Sequence, residues 1–219
     1  MMIKIAGTAL VAILSAAVAT AATAAPAVTL TSPGAIFGSS LYTLGFSFEV
    51  GSPQTIDQLG VWDADGAPLP VDAQVGLWND SGALLTSVTV PASGGTLVDG
   101  FRYADITPFA LTPGQVYVVG AFLGDDGSAT SFNTNQGGSG SFNPLITPLF
   151  DRFSHFNSAF SFPTDSDGFA GGAWLGANFN LVSAIPEPAT WVTLLLGLAA
   201  LGVAMRRTRR RDGPVSAAA

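Results

Sequence analysis

Along the middle of the chain, apolar and polar residues alternate with a period of two. Leu44, Phe46, Phe48 and Val50 interleave with Thr43, Gly45, Ser47 and Glu49. Val71, Ala73, Val75 and Leu77 interleave in the same way with Asp72, Gln74, Gly76 and Trp78. Successive side chains of a strand point to opposite faces, so the pattern predicts strands with one face in a core. Residues 84–90, 100–106 and 115–123 continue it. The breaks between them are turn chemistry: Ser52-Pro53, Asp65-Gly66, Asp80-Ser81-Gly82, Ser93-Gly94-Gly95 and Thr112-Pro113-Gly114. In such breaks Asp bonds nearby backbone and Gly permits a positive φ. Short strands at this spacing predict an all-β fold, an antiparallel, jelly-roll-like β-sandwich. The second half is less regular. Residues 125–145 read as long loops, and 146–183 as strands completing the sandwich, among them 159–162, 173–175 and 178–182.

Both ends break the pattern. Lys4 precedes the apolar stretch 5–19, and Ala22-Thr23-Ala24 fits the small-x-small rule for signal-peptide cleavage. Residues 1–24 therefore read as a signal peptide for the Sec export machinery, with Ala22 and Ala24 marking the cut. At the other end, Pro186-Glu187-Pro188 precedes an apolar run over 189–205 and the cluster Arg206-Arg207-Thr208-Arg209-Arg210-Arg211. Seventeen helical residues span roughly 26 Å, a little short of a hydrocarbon core of about 30 Å. Arginines stay cytoplasmic by the positive-inside rule, which places residues 25–185 outside the inner membrane. Residues 186–211 form the C-terminal signal and 212–219 a short cytoplasmic tail.

Charge divides in the same way. Residues 25–185 hold thirteen carboxylates against two cations, Arg102 and Arg152, a net charge of −11. Such a surface repels phosphate backbones, which excludes nucleic acid as a partner. About 160 residues suffice for one core, and with no cysteine it is held by packing alone.

Pro-Glu-Pro, a short apolar helix and a terminal arginine cluster, in that order, resemble the PEP-CTERM sorting signal. Here it comprises Pro186, Glu187, Pro188, residues 189–205 and Arg206, Arg207, Arg209, Arg210 and Arg211. The resemblance implies recognition by an exosortase, a membrane-embedded cysteine peptidase or transpeptidase of Gram-negative bacteria. It also implies delivery to the cell surface or to the exopolysaccharide matrix of a biofilm. Two prolines around Glu187 hold the segment extended and deny it backbone donors, which suits a processing peptidase. The stretch 42–122 also resembles a recurring bacterial surface domain without an established function. That likeness rests on Tyr42-Thr43-Leu44-Gly45-Phe46, Leu59-Gly60-Val61-Trp62, Gln74-Val75-Gly76-Leu77-Trp78, Gly82-Ala83-Leu84-Leu85, Gly100-Phe101-Arg102-Tyr103 and Leu111-Thr112-Pro113-Gly114-Gln115-Val116-Tyr117.

Candidate chemistry is sparse. His155 is the only histidine, and its neighbour Ser154 points to the opposite face of an extended chain, so the two form no dyad. No Gly-x-Ser-x-Gly elbow is present, and His155 reads as structural. Zinc does not fit a chain with no Cys and one His. Calcium is the better metal candidate, through the Asp-x-Asp-Gly loops at Asp63 and Asp65 and at Asp165 and Asp167, with Asp125-Asp126-Gly127 a third acidic turn. Turn chemistry accounts for the same residues, and neither loop continues into a full calcium-binding pattern. Asn79-Asp80-Ser81 reads as a turn. Trp62, Trp78 and Trp174 either fill the core or face outward to stack on sugars.

The expectation is an exported, exosortase-sorted, non-catalytic protein of the surface or matrix, structural or polysaccharide-binding. Two alternatives stay open. One is a secreted carbohydrate-active hydrolase using an Asp pair, recognisable only by carboxylate spacing in the fold. The other is a calcium-dependent adhesin.

Overall fold

The structure, a computed structural model, describes residues 24–32, 35–38, 41–63, 66–123, 129–133, 138–156, 159–171, 174–182, 196–202 and 206. The chain divides into two units: Ala22–Ala184, and Met1–Ala21 together with Ile185–Ala219. In the second of these, residues 196–202 and 206 are helical and the rest of the apolar run lies outside the described residues. Among the described residues no helix is long and apolar enough to cross a membrane.

Unit Ala22–Ala184 is built from strands. They are β1 (Ala24–Pro26), β2 (Val28–Ser32), β3 (Ala35–Gly38), β4 (Leu44–Val50), β5 (Gln54–Trp62), β6 (Ala73–Asn79), β7 (Leu84–Val90), β8 (Thr96–Val98), β9 (Phe101–Leu111), β10 (Tyr117–Phe122), β11 (Ala129–Asn133), β12 (Ser139–Phe142), β13 (Ile146–Phe153) and β14 (Ala177–Val182). One sheet runs β1-β14-β5-β9-β8 and the other β13-β4-β10-β6-β7, with every pair antiparallel. Count β1, β4, β5, β6, β7, β9, β10 and β14 as strands one to eight. The sheets then read 1-8-3-6 and 2-7-4-5, the interlocked order of a jelly roll, with β8 and β13 added at edges.

The core lies between the sheets. Phe46, Phe48, Val75, Leu77 and Val119 from one sheet and Ile56, Leu59, Phe179 and Leu181 from the other are all buried in it. Phe48 stacks on Phe179 across the sandwich with ring centroids 4.8 Å apart. Aromatic pairs at this spacing add about 0.5–1.5 kcal/mol to the area they remove from water. Leu111 closes β9, and the 112–117 turn is pinned by the Tyr117 hydroxyl, which accepts a hydrogen bond from Thr112 N at 2.8 Å. This back-bonded tyrosine at the start of β10 is the device that fixes Greek-key corners in other sandwiches.

Here the one-face-buried expectation is corrected. Thr43, just before β4, and Ser47, on the polar phase of that strand, are buried, as is every residue of β10. The cover is irregular chain from 159–163. Gly45, Gly120 and Gly76 are register partners, a row of glycines across three neighbouring strands. Trp78 lies over that row beneath Phe160 and Phe162, at ring centroid distances of 5.0 and 6.1 Å. A Cβ on Gly76 would come within 2.6 Å of Phe160, and one on Gly120 within 2.9 Å of Thr43. Glycine inside a strand here marks the close approach of a second layer. Ser161 N donates to Thr43 Oγ1 at 3.2 Å, tying the cover to the sheet.

Other expectations shift as well. Residues 125–145 are not only loop, since β11 pairs with β3 and β12 with β2. Conversely, the described residues of 159–162 and 173–175 lie outside every strand; between β13 and β14 the described residues form isolated bridges, among them those at Asp165 and Ala170. Residues 178–182 do fall in β14. Val71 precedes β6 and is exposed.

Candidate functional site

At one end of the sandwich the first Asp-x-Asp-Gly loop meets Arg102. Asp63 directly follows β5 and is 3 % exposed. Its Oδ2 accepts from Arg102 Nη2 at 2.6 Å and Nε at 2.9 Å, and its Oδ1 accepts from Gly66 N at 3.0 Å. The guanidinium also donates to the carbonyls of Gly94 at 2.9 Å and Ala67 at 3.1 Å. A carboxylate with carbonyls around it is the kind of oxygen set that holds calcium. In this fold a permanent cation from the chain itself occupies it, which corrects Asp63 from a calcium candidate to half of a buried ion pair. Asp65 lies outside the described residues.

The second Asp-x-Asp-Gly loop is turned the other way. Asp151, in β13, is fully buried. Its Oδ1 accepts from Ser166 Oγ at 2.9 Å and Phe169 N at 2.8 Å, and its Oδ2 accepts from Asp167 N at 2.8 Å. The loop therefore directs donors inward around a carboxylate supplied by another strand, the opposite of what a metal ion needs. Asp165 Oδ2 instead sits 3.1 Å from His155 Nδ1 at the surface. Among the described residues no three metal-binding side chains come together.

Ser154 and His155 diverge. Ser154 is buried, its Oγ accepting from Thr43 N at 2.8 Å, while the His155 side chain is 85 % exposed. Trp62 and Trp78 are both buried and so do not face outward toward sugars, and Trp174 is half-buried.

Two features had no sequence signal strong enough to find them. The first is a polar chain on the β14-β5-β9 sheet. Ile56 and Leu59 are both buried, so a bulge places Asp57 and Gln58 together on the outer side. Asn180 Nδ2 donates to Gln58 Oε1 at 2.6 Å, and Gln58 Nε2 donates to Asp105 Oδ1 at 2.7 Å. The donors run toward Asp105, and Asp57 Oδ1 receives none. Desolvation raises the Asp57 carboxyl above its ordinary pKa, its own backbone hydrogen bond opposes this, and the charge of Asp105 adds to it. The second feature is an open cleft of about 360 Å³ lined by Asn79, Leu85, Phe109, Thr112, Gln115 and Tyr117. None of these is charged. Tyr117 and the Asn79 side chain are held by the turns they cap, the latter accepting from Ala83 N at 2.8 Å.

Fold and C-terminal sequence together define a class: a β-sandwich ectodomain followed directly by a proline-flanked glutamate, an apolar run and an arginine cluster. The chain belongs to the family described as domain of unknown function (DUF4082), whose model matches residues 30–179. The PEP-CTERM protein-sorting motif matches residues 184–211. This is therefore an exported protein with a membrane-anchored sorting signal that an exosortase processes. The matched segment holds Pro186, Glu187, Pro188 and all five clustered arginines; of these only Arg206 is among the described residues, where it is helical and exposed. Ala22 also lies outside them, and Ala24 opens β1. No curated protein and no solved structure matches the chain.

Proposed function

We propose that, once sorted, this protein serves at the cell surface or in an exopolysaccharide matrix as a non-catalytic structural or polysaccharide-binding component. The sorting motif, beginning two residues after β14, is the observation that carries this. The chemistry of the ectodomain supports it. Its buried charges are engaged within the fold, Asp63 by Arg102 and Asp151 by the hydroxyl and backbone donors of the 165–169 loop, which suits holding loops rather than acting on a substrate. The uncharged cleft, whose lining includes Phe109, Asn79 and Gln115, suits a neutral sugar face and its hydroxyls. An anionic chain would be repelled by a net charge of −11.

Fractionation of native cells with and without the exosortase tests the address. The protein is expected in the surface or matrix fraction only when the exosortase is present; retention in the periplasm in both strains would refute the proposal. Co-sedimentation with an insoluble neutral glucan tests the binding role. Phe109→Ala is expected to reduce the bound fraction, and equal sedimentation of both proteins would remove the cleft from the account.

A further inference from the structure

A sheet edge with free N–H and C=O groups is a template for another strand, and proteins blunt such edges with short strands, proline, charge or a covering loop. The two five-stranded sheets of this protein have four edges, and three are blunted. β1 and β8 are three residues each, and β1 carries Pro26. β13 is longer, but chain from 165–171 lies along it. Asp151 N donates to Phe169 O at 3.1 Å, Phe153 N to Asp165 O at 3.0 Å, and Gly171 N to Leu149 O at 2.9 Å. The fourth edge, β7, is open. Its seven residues, Leu84–Val90, include neither proline nor charge. A bulge at Leu85 bends only its start; Thr86, Ser87, Val88, Thr89 and Val90 then pair residue for residue with β6. All of these but Ser87 are β-branched and favour the extended backbone.

Charge singles out the same edge. No charged residue occurs over 81–98, in a domain whose net charge is −11. The carboxylates just outside β6 are both engaged: Asp80 lies 3.4 Å from Arg152, and Asp72 accepts from Ala92 N at 2.8 Å. β7 packs across the sandwich on β9, whose edge neighbour is the uncharged β8. Leu84, Leu97 and Val98 are exposed on these two edge strands.

We propose that β7 is a self-association edge: two copies pair β7 with β7, antiparallel about a twofold axis, and join their β13-β4-β10-β6-β7 sheets into one. Two observations commit the edge to a second copy. A strand partner must itself offer an open, uncharged edge, and among the four edges of these sheets β7 is the one that does. Antiparallel pairing about a twofold lets each β7 satisfy the outward N–H and C=O groups of the other. Charge is the second observation. Copies carrying −11 repel one another, and least along a side that bears no charge. A basic partner would be drawn instead to the carboxylates elsewhere on the surface. With one open edge per copy, assembly closes at the dimer. The proposal goes beyond the surface or matrix role and does not depend on it. Ser87 and Thr89, both exposed, are not among the residues lining the cleft.

Sedimentation equilibrium of the full-length chain in density-matched detergent micelles tests it. The parent is expected to pass from monomer to dimer over the micromolar range, and more readily as added salt screens the repulsion. The double variant Ser87→Glu, Thr89→Glu sets like charges against each other across the twofold and should weaken the dimer at least about tenfold. Mixing it with Ser87→Lys, Thr89→Lys brings opposite charges together and should restore association to at least the parent level. Hydrogen exchange locates the contact. Alternate amides of β7, those not bonded to β6, should exchange freely in dilute protein and slow at least about tenfold at dimer concentrations. A parent that stays monomeric from micromolar to millimolar concentration would overturn the proposal. So would a dimer that the glutamate variant leaves intact, or one that forms with no added protection in β7. Growth beyond the dimer would contradict the blunting of the other three edges. None of these outcomes touches the sorting reading, which is measured at the C-terminus.

Discussion

Two loops of this protein share the pattern Asp-x-Asp-Gly, and the fold gives them opposite polarity. At 63–66 the leading carboxylate turns inward and meets Arg102, with backbone carbonyls around the guanidinium. At 165–168 the carboxylates stay outward and the backbone turns its donors inward, onto Asp151. One loop is a receptacle for a cation and the other for an anion, and in each case the chain supplies the ion. A tetrapeptide of turn residues sets the shape of a loop. The charge it receives depends on what the neighbouring strand places beneath it.

The largest effect is expected from Arg102→Ala, which strands Asp63 in the interior. Removing one partner of a buried pair costs about 3–5 kcal/mol, to be read from the urea midpoint. Replacing both, as Asp63→Leu with Arg102→Met, should cost far less, since no lone charge remains. Next is Asp151→Ala, which leaves the amides of Asp167 and Phe169 without their acceptor. It should cost about 2–4 kcal/mol, and the amides of 165–169 should exchange rapidly while the sheets stay protected.

The comparison is sharpened by the double variant Asp165→Ala, Asp167→Ala. It removes the carboxylates of the second loop but none of its inward donors, and should change stability by no more than about 0.5 kcal/mol. Millimolar calcium should leave the Tm of the parent unchanged, because one loop already holds a guanidinium and the other offers donors. The smallest effect concerns Asp57, a carboxylate that neither loop nor cation satisfies. Its pKa is raised in the folded state, so the fold binds its proton more tightly than the unfolded chain does. The sign follows: its contribution is favourable below the ordinary value of 3.8 and is lost as pH rises through the folded value. Asp57→Asn should therefore raise the Tm at pH 7, by on the order of 1 °C after allowance for solvent screening, and make no difference below about pH 4. Thermal melts of both proteins across pH 3–8 would show it.

The inner layer of the sandwich was legible because its determinants are local. Phe46 and Phe48, Val75 and Leu77 alternate, and the 111–117 stretch carries its own turn and its own tyrosine latch. The outer layer was not, because its determinants are distant. Nothing beside Gly76 or Gly120 announces that residues 159–163 will lie over them, although glycine in mid-strand was the available hint. β12 finds its partner β2 at the far end of the chain, and its Ser-Gly-Ser sequence has no apolar phase of its own. The sorting segment was legible for another reason. Its order of prolines, apolar run and arginines is itself the motif that is matched.

The central claim is that an exosortase processes this chain at its C-terminus, and intact mass of the native protein tests it most directly. From cells with the exosortase, the mass should correspond to a chain starting at Ala25 and lacking everything beyond about Pro188. From cells without it, the apolar run and arginine cluster should remain. A full-length C-terminus in both strains would mean a permanent anchor and would contradict the account.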